Sequence, residues 1–133
     1  ADTSAFDKVL DAMRMPRDTE AQQAERDNSM QEGYKAATRV PLATVQQCRD
    51  ALQLCSEIAA MADPEMVSDA GTGALLAHAG AQAAAYNVRI NLRHIDDASF
   101  DAEMRGAIES TLAECSQLAT AVAGEVDRVL AAD

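Results

Sequence analysis

The sequence predicts an all-α fold, a multihelical bundle of about five helices around one central Gly/Ala-rich helix. Three observations lead there. Ala, Leu, Glu, Gln and Met dominate, while aromatic residues make up 3% of the chain and Trp is absent, a balance that favours packed helices over sheet. Apolar residues recur at intervals of three and four over long stretches. Residues 66–92, MVSDAGTGALLAHAGAQAAAYNVRINL, contain no proline and carry a stripe of small residues, Gly73, Ala77, Gly80, Ala81 and Ala84. Glycine inside a helix costs up to about 1 kcal/mol relative to Ala, so close approach of another backbone is the expected reason for these glycines.

The elements follow in order. Helix one is expected from about Thr3 to Arg14, with Phe6, Val9, Leu10 and Met13 on its buried side, and Pro16 disfavours helical geometry at Met15. Thr19 opens helix two with Gln22 as its capping-box partner, and the helix extends to about Arg39. Pro41 marks either a kink or the first turn of a third helix, whose stripe is Leu42, Val45, Leu52, Cys55 and Ile58. Asp63-Pro64 ends it near Ala62. Ser68-Asp69 reads as the start signal of the central helix. After Asp96-Asp97-Ala98-Ser99, one long amphipathic helix is written by Phe100, Met104, Ile108, Leu112, Cys115, Leu118, Val122, Val126 and Val129.

The remaining composition excludes several function classes. At 133 residues the chain makes one domain. A formal net charge of −11 argues against nucleic acid and against an anionic membrane surface. No apolar run reaches the roughly 20 residues of a membrane span, no signal peptide is expected, and the odd cysteine count without CxxC spacing leads to the expectation of a cytoplasmic protein. Cys48, Cys55 and Cys115 show no CxxC spacing; Cys48 and Cys55 share a helix face about 10 Å apart and act as small hydrophobes. His78 and His94 are isolated, so no metal site is expected.

A few polar groups remain as candidates. Asp69 stands at a helix start, where the dipole favours an ionised carboxylate, either as a cap alone or as a placed acid–base group. Asn87 and Asn91 share one helix face and serve either a helix–helix contact or a ligand. Arg89 and Arg93 form a second such pair, either solvated or open to anions. Asp69 and Asn87 point the same way but lie roughly 27 Å apart along a continuous helix. They can serve one ligand only if it is long, or if each contributes to a different site across a dimer interface.

Three segments carry a resemblance. SDAGTGALLAHAGAQAAAYNVRINL resembles the central helix of the cyclodeaminase / methenyltetrahydrofolate cyclohydrolase family. MRMPRDTEAQQAERDNSMQEGYKAATRVPL is similar to that family's Leu-Pro-Lys…Val-Pro-Leu segment, and the opening ADTSAF to its Asp-x-x-Ala-Phe turn. Together they cover residues 1 to about 95. The resemblance implies chemistry on one-carbon units of tetrahydrofolate: water addition to 5,10-methenyltetrahydrofolate giving 10-formyltetrahydrofolate, or closure of 5-formiminotetrahydrofolate with loss of ammonia. It implies catalytic roles for Asp69, with Asp2 as second candidate, beside a cationic methenyl carbon. Ser68, Asn87 and Asn91 would bind substrate, and Arg17, where the family has Lys, would receive the folate glutamate tail. It implies a folate substrate with no separate cofactor, and a homodimer is expected from the Gly/Ala stripe. The family usually begins with a Pro- and Gly-rich segment and an apolar helix; neither is present, so an N-terminally incomplete domain is expected. The alternative from another class is a non-catalytic helical assembly or interaction protein, which the small-residue groove and the long last helix would also suit.

Overall fold

A computed structural model of the chain describes residues 4–132. They form four α-helices: α1 (Ser4–Arg14), α2 (Glu20–Ala60), α3 (Val67–Leu92) and α4 (Ala98–Leu130). Helices α2, α3 and α4 pack against one another as a bundle, and α1 lies along α2. No described helix is long and apolar enough to cross a membrane.

α2 begins where the capping box places it. Gln22 N–H donates to Thr19 Oγ1 at 3.2 Å, and Gln22 Oε1 accepts from Thr19 N–H at 3.2 Å and Asp18 N–H at 3.0 Å. The helix then runs 41 residues without a break, with Pro41 inside it. The expected second and third helices are therefore one element, and the count is four rather than five. The reason is local. An interior proline leaves the carbonyl four residues back without its N–H donor, which here is Ala37 O. That oxygen instead accepts from Asn91 Nδ2 of α3 at 3.2 Å. α2 ends with Ala62 in a left-handed conformation at φ 55°, a position that usually takes glycine.

α3 starts at Val67, after Met66, with no side-chain cap. Asp63 sets the turn: its carboxylate accepts from Glu65 N–H at 2.9 Å, and its carbonyl accepts from Met66 and Val67 N–H. Ser68 and Asp69 consequently sit within the first turn, and the expectation that they cap it is corrected. α4 is capped as its sequence suggests, with Phe100 N–H donating to the Asp97 carboxylate at 3.0 Å. Lys35 Nζ of α2 reaches the same carboxylate at 3.0 Å, and Lys35 and Arg39 stand over the Phe100 ring.

The core combines Val45, Leu52 and Ala59 of α2, Ala70, Ala74, Ala81, Ala84 and Ala85 of α3, and Leu112, Cys115, Val122 and Val129 of α4. A smaller cluster around Leu42, Val88, Leu92, Phe100, Met104 and Ile108 closes one end. The central glycines have a defined use within the chain. A Cβ on Gly73 would stand 3.1 Å from Cys55 Sγ, and one on Gly80 would stand 3.2 Å from Cys48 Sγ. Both spacings are seven residues, so α2 and α3 run antiparallel with each thiol seated over a glycine. The Gly73 and Gly80 part of the stripe is thus filled by α2, not by a second molecule. α1 makes a similar close contact: a Cβ on Gly33 would meet Val9 N at 3.1 Å. Only a narrow stripe of α1 is needed there, Val9 and Ala12. Phe6, Leu10 and Met13, expected to be buried, are exposed.

Candidate functional site

The antiparallel pairing of α2 and α3 leaves a groove of about 580 Å³ between them. One wall is Ala37, Val40, Pro41 and Thr44 of α2; the other is Gly80, Ala83 and Ala84 of α3, with Phe6 of α1 beside them. Asn87 and Asn91 supply the carboxamides of the lining, beside the Thr44 hydroxyl. Small residues make the groove: glycine and alanine at 80, 83 and 84 hold side-chain volume back from it, and the proline ring forms a flat wall. Such a slot accepts a planar ring system better than a branched chain.

Both carboxamides are held in place. Asn87 Nδ2 donates to Ala83 O on its own helix at 3.2 Å, and Asn91 Nδ2 donates to Ala37 O across the groove. Each amide uses a donor on backbone, leaving its carbonyl oxygen to accept from a ligand N–H or a water. Asn91 therefore satisfies the proline-freed carbonyl with its amide N–H while its oxygen stays available as an acceptor. Among the described residues that line this groove there is no carboxylate.

The other sequence-predicted site residues are distributed elsewhere. Asp69 is exposed in the first turn of α3, and because α3 is unbroken to Leu92 it lies about 27 Å along the axis from Asn87. Ser68 lines a different groove, of about 290 Å³, with Gly71, Thr72, Leu75 and Val126 between α3 and α4. Arg17 is exposed in the α1–α2 connection, about 30 Å along α2 from Pro41. Asp2 lies outside the described residues. The structure thus brings together Asn87 and Asn91 and does not bring Asp69, Ser68 or Arg17 to them within one chain. Thr44 and Pro41 were not singled out from the sequence as site residues. Their signal was the Val-Pro-Leu segment itself, but its pairing with Asn91 spans 50 positions and is a tertiary fact.

The polar groups nearby hold structure. His94 stacks on Tyr34 with ring centroids 4.7 Å apart. Gln31 joins α2 to the α3–α4 turn, donating to His94 O at 2.9 Å and accepting from Asp96 N–H at 2.7 Å. The Asp97 carboxyl is held below its ordinary range by the Phe100 N–H and by Lys35. Burial pushes the Cys48 and Cys115 thiols up, which keeps both as packing groups rather than nucleophiles. No group of three potential metal ligands occurs among the described residues.

The groove draws its lining from all three segments on which the resemblance rests: Phe6 of the opening turn, Val40-Pro41 of the proline segment, and Asn87 and Asn91 of the central helix. Comparison with known proteins agrees. A methenyltetrahydrofolate cyclohydrolase from Methylorubrum extorquens is 38% identical over 117 residues, covering 88% of this chain and 56% of that protein. A formimidoyltransferase-cyclodeaminase from Sus scrofa is 34% identical over 122 residues, covering 92% of this chain and 23% of that one. The crystal structure of a formiminotetrahydrofolate cyclodeaminase from Thermotoga maritima superposes with a TM-score of 0.81 at 26% identity, over 97% of this chain and 60% of the other. The chain thus spans a little over half the length of the bacterial relatives. With the family model for formiminotransferase-cyclodeaminase matching residues 1–110, this chain belongs to the formiminotransferase-cyclodeaminase family.

Proposed function

We propose that this protein acts in folate one-carbon metabolism, as a methenyltetrahydrofolate cyclohydrolase or a formiminotetrahydrofolate cyclodeaminase, with the pterin end of the substrate in the α2–α3 groove. The single observation that carries this is the groove's lining, drawn from three separate segments that resemble the family and are far apart in the chain. Its flat, small-residue walls suit a fused ring, and the free oxygens of Asn87 and Asn91 suit the N–H groups of a pterin.

Both reactions pass through a tetrahedral carbon between two ring nitrogens. In the hydrolytic direction, water adds to the cationic methenyl carbon, one C–N bond breaks and a proton is released. In the deaminating direction, the N10 amine adds to the formimino carbon already held on N5, N10 gives up its proton, and the C–N bond to the leaving nitrogen breaks as that nitrogen is protonated and departs as ammonia. Each needs a group that takes or gives a proton and stabilises positive charge at that carbon. Asp69 is proposed for this role with Asp2 as the second candidate, and Arg17 is proposed to hold the glutamate tail. The proposed substrate is a tetrahydrofolate derivative without a separate cofactor, the proposed assembly a homodimer and the proposed setting the cytoplasm.

The test is direct. Loss of 5,10-methenyltetrahydrofolate, followed spectroscopically above its spontaneous background on the intact polypeptide, should fall about 10²–10⁴-fold in Asp69→Asn if the carboxylate acts in proton transfer. Asn87→Ala should raise KM by removing a contact shared by substrate and transition state. Unchanged turnover in Asp69→Asn would remove Asp69 from the reaction, and an unchanged KM in Asn87→Ala would remove the groove. Release of ammonia from the formimino compound separates the two activities.

A further inference from the structure

A second cavity lies next along the face of α2 that floors the groove. The register that seats Cys55 over Gly73 and Cys48 over Gly80 also sets Ala37 against Asn91 and, one turn on, Tyr34 against His94. There a cavity of about 500 Å³ opens, lined in part by Tyr34, His94, Met30 and Arg26, with Asp27 and Asp96 beside them. Thr44, Pro41 and Ala37 of the groove and Met30 and Arg26 of this cavity recur at intervals of three, four, seven and four, which is one face of α2.

Two of its side chains are poised in a way that the packing does not explain. His94 is exposed and lies on the buried Tyr34 ring, with centroids 4.7 Å apart and planes 16° from parallel. Gln31 fixes the turn that carries it, bonding both His94 O and Asp96 N–H. The imidazole is therefore a held aromatic plane at the cavity wall. Arg26 is the second. Its side chain is only 22% exposed, and its Nε is shielded from solvent with no hydrogen-bond partner among the described residues. The Asp27 carboxylate stands 3.8 Å from Nη1, beyond hydrogen-bond range. Buried N–H groups are normally satisfied, so a guanidinium fork without a bonded partner in a cavity wall points to a ligand carboxylate, the group whose geometry it matches.

We propose that this cavity receives the aminobenzoyl-glutamate part of a tetrahydrofolate substrate, with the aminobenzoyl ring on His94 and the α-carboxylate of the first glutamate on Arg26. The assignment rests on the folate reading of the groove and extends it. Along α2, Tyr34 lies about 4–5 Å beyond Ala37, and Arg26 about 12 Å beyond Tyr34. A pterin between Asn87 and Asn91 thus has the aromatic plane one turn away. From a ring on that plane the α-carboxylate is four bonds farther, on the order of 5 Å, and the extended arginine side chain spans the rest. In a chain of net charge −11, an anionic tail needs such a local cation. Asp27 and Asp96 accept the amide N–H of the tail and oppose a second carboxylate close to the first. A further γ-linked glutamate turns that second carboxylate into an amide, so the cavity favours the polyglutamylated form. Arg17, beyond the start of α2, is left to later residues of such a tail.

The probe is 4-aminobenzoyl-L-glutamate, which has the tail and no pterin. Titration calorimetry on the intact protein should register its binding, and the His94 ring-proton resonances should shift as the aromatic ring settles on them. Free glutamate should bind more weakly and leave those resonances in place, and the γ-linked 4-aminobenzoyl-triglutamate should bind more tightly. Arg26→Gln, which removes no hydrogen bond among the described residues, should melt as the wild type does and weaken the probe about 10–100-fold. Arg26→Lys, which keeps the charge but not the fork, should fall between them, and His94→Ala should lose about 2–10-fold. Equal affinity in the wild type and both Arg26 variants overturns the assignment. So does free glutamate binding as tightly as the probe, which would make the cavity a site for a separate amino acid. No binding of the probe overturns the tail site, and continued consumption of methenyltetrahydrofolate in that case keeps the folate reading. Arg26-dependent binding of the probe in a protein that consumes no methenyltetrahydrofolate sustains the tail site and overturns the proposed reaction.

Discussion

Asn91→Ala tests the link between the proline, the groove and the fold. The substitution leaves Ala37 O, in the interior of α2, with neither the Pro41 N–H it can never have nor the Asn91 amide it uses now. An unsatisfied, partly buried carbonyl costs about 1–3 kcal/mol. For a chain of this length that corresponds to a fall in Tm of roughly 4–12 °C. The decisive comparison is the same substitution in a Pro41→Ala background. Alanine at 41 restores the N–H, which donates to Ala37 O as in any α-helix, and the Asn91 amide becomes redundant. Asn91→Ala should then cost less than about 0.5 kcal/mol, giving a coupling between positions 41 and 91 of about 1 kcal/mol or more. Urea denaturation of the four proteins, followed by far-ultraviolet circular dichroism, measures the cycle. Equal costs in the two backgrounds would refute the reasoning, and would mean that water or helix bending satisfies the freed carbonyl.

Other outcomes follow from the same geometry. Ala62→Gly should stabilise by about 1 kcal/mol in thermal unfolding, because a left-handed conformation carries a Cβ penalty that glycine lacks. Gly33→Ala places a Cβ 3.1 Å from the Val9 backbone nitrogen, so α1 must lift from α2 at a cost of about 1–3 kcal/mol, seen as faster amide exchange in Ser4–Arg14. Asp97, whose carboxyl is held down by the Phe100 N–H and Lys35, contributes stability above its unfolded value, lost as pH falls through its lower folded value. Acid unfolding of Asp97→Asn, which still caps, should therefore show a shallower slope below about pH 4 than the wild type.

By itself the sequence determined the all-α class, three of the helix boundaries and the family. Thr19 with Gln22, Asp97 before Phe100, and the stop at Asp63-Pro64 are decided within a few residues of backbone, so local chemistry is enough to read them. The long stripe of α4 was legible for a related reason, since one buried face repeated over nine turns leaves little ambiguity about what lies inside. Pro41 was legible only as a choice between kink and boundary, because the outcome depended on a donor 50 residues away. Ser68-Asp69 looked like a cap until Asp63 claimed the turn, a competition between neighbouring oxygen-bearing side chains that only coordinates resolve. Which flank of α3 the glycines face, and hence that Cys48 and Cys55 fill it, was likewise a matter of register between two helices. The groove belongs wholly to the tertiary structure: Phe6, Pro41 and Asn87 have no relation along the chain, and only the antiparallel packing of α2 on α3, with α1 laid across Gly33, gives them a common space.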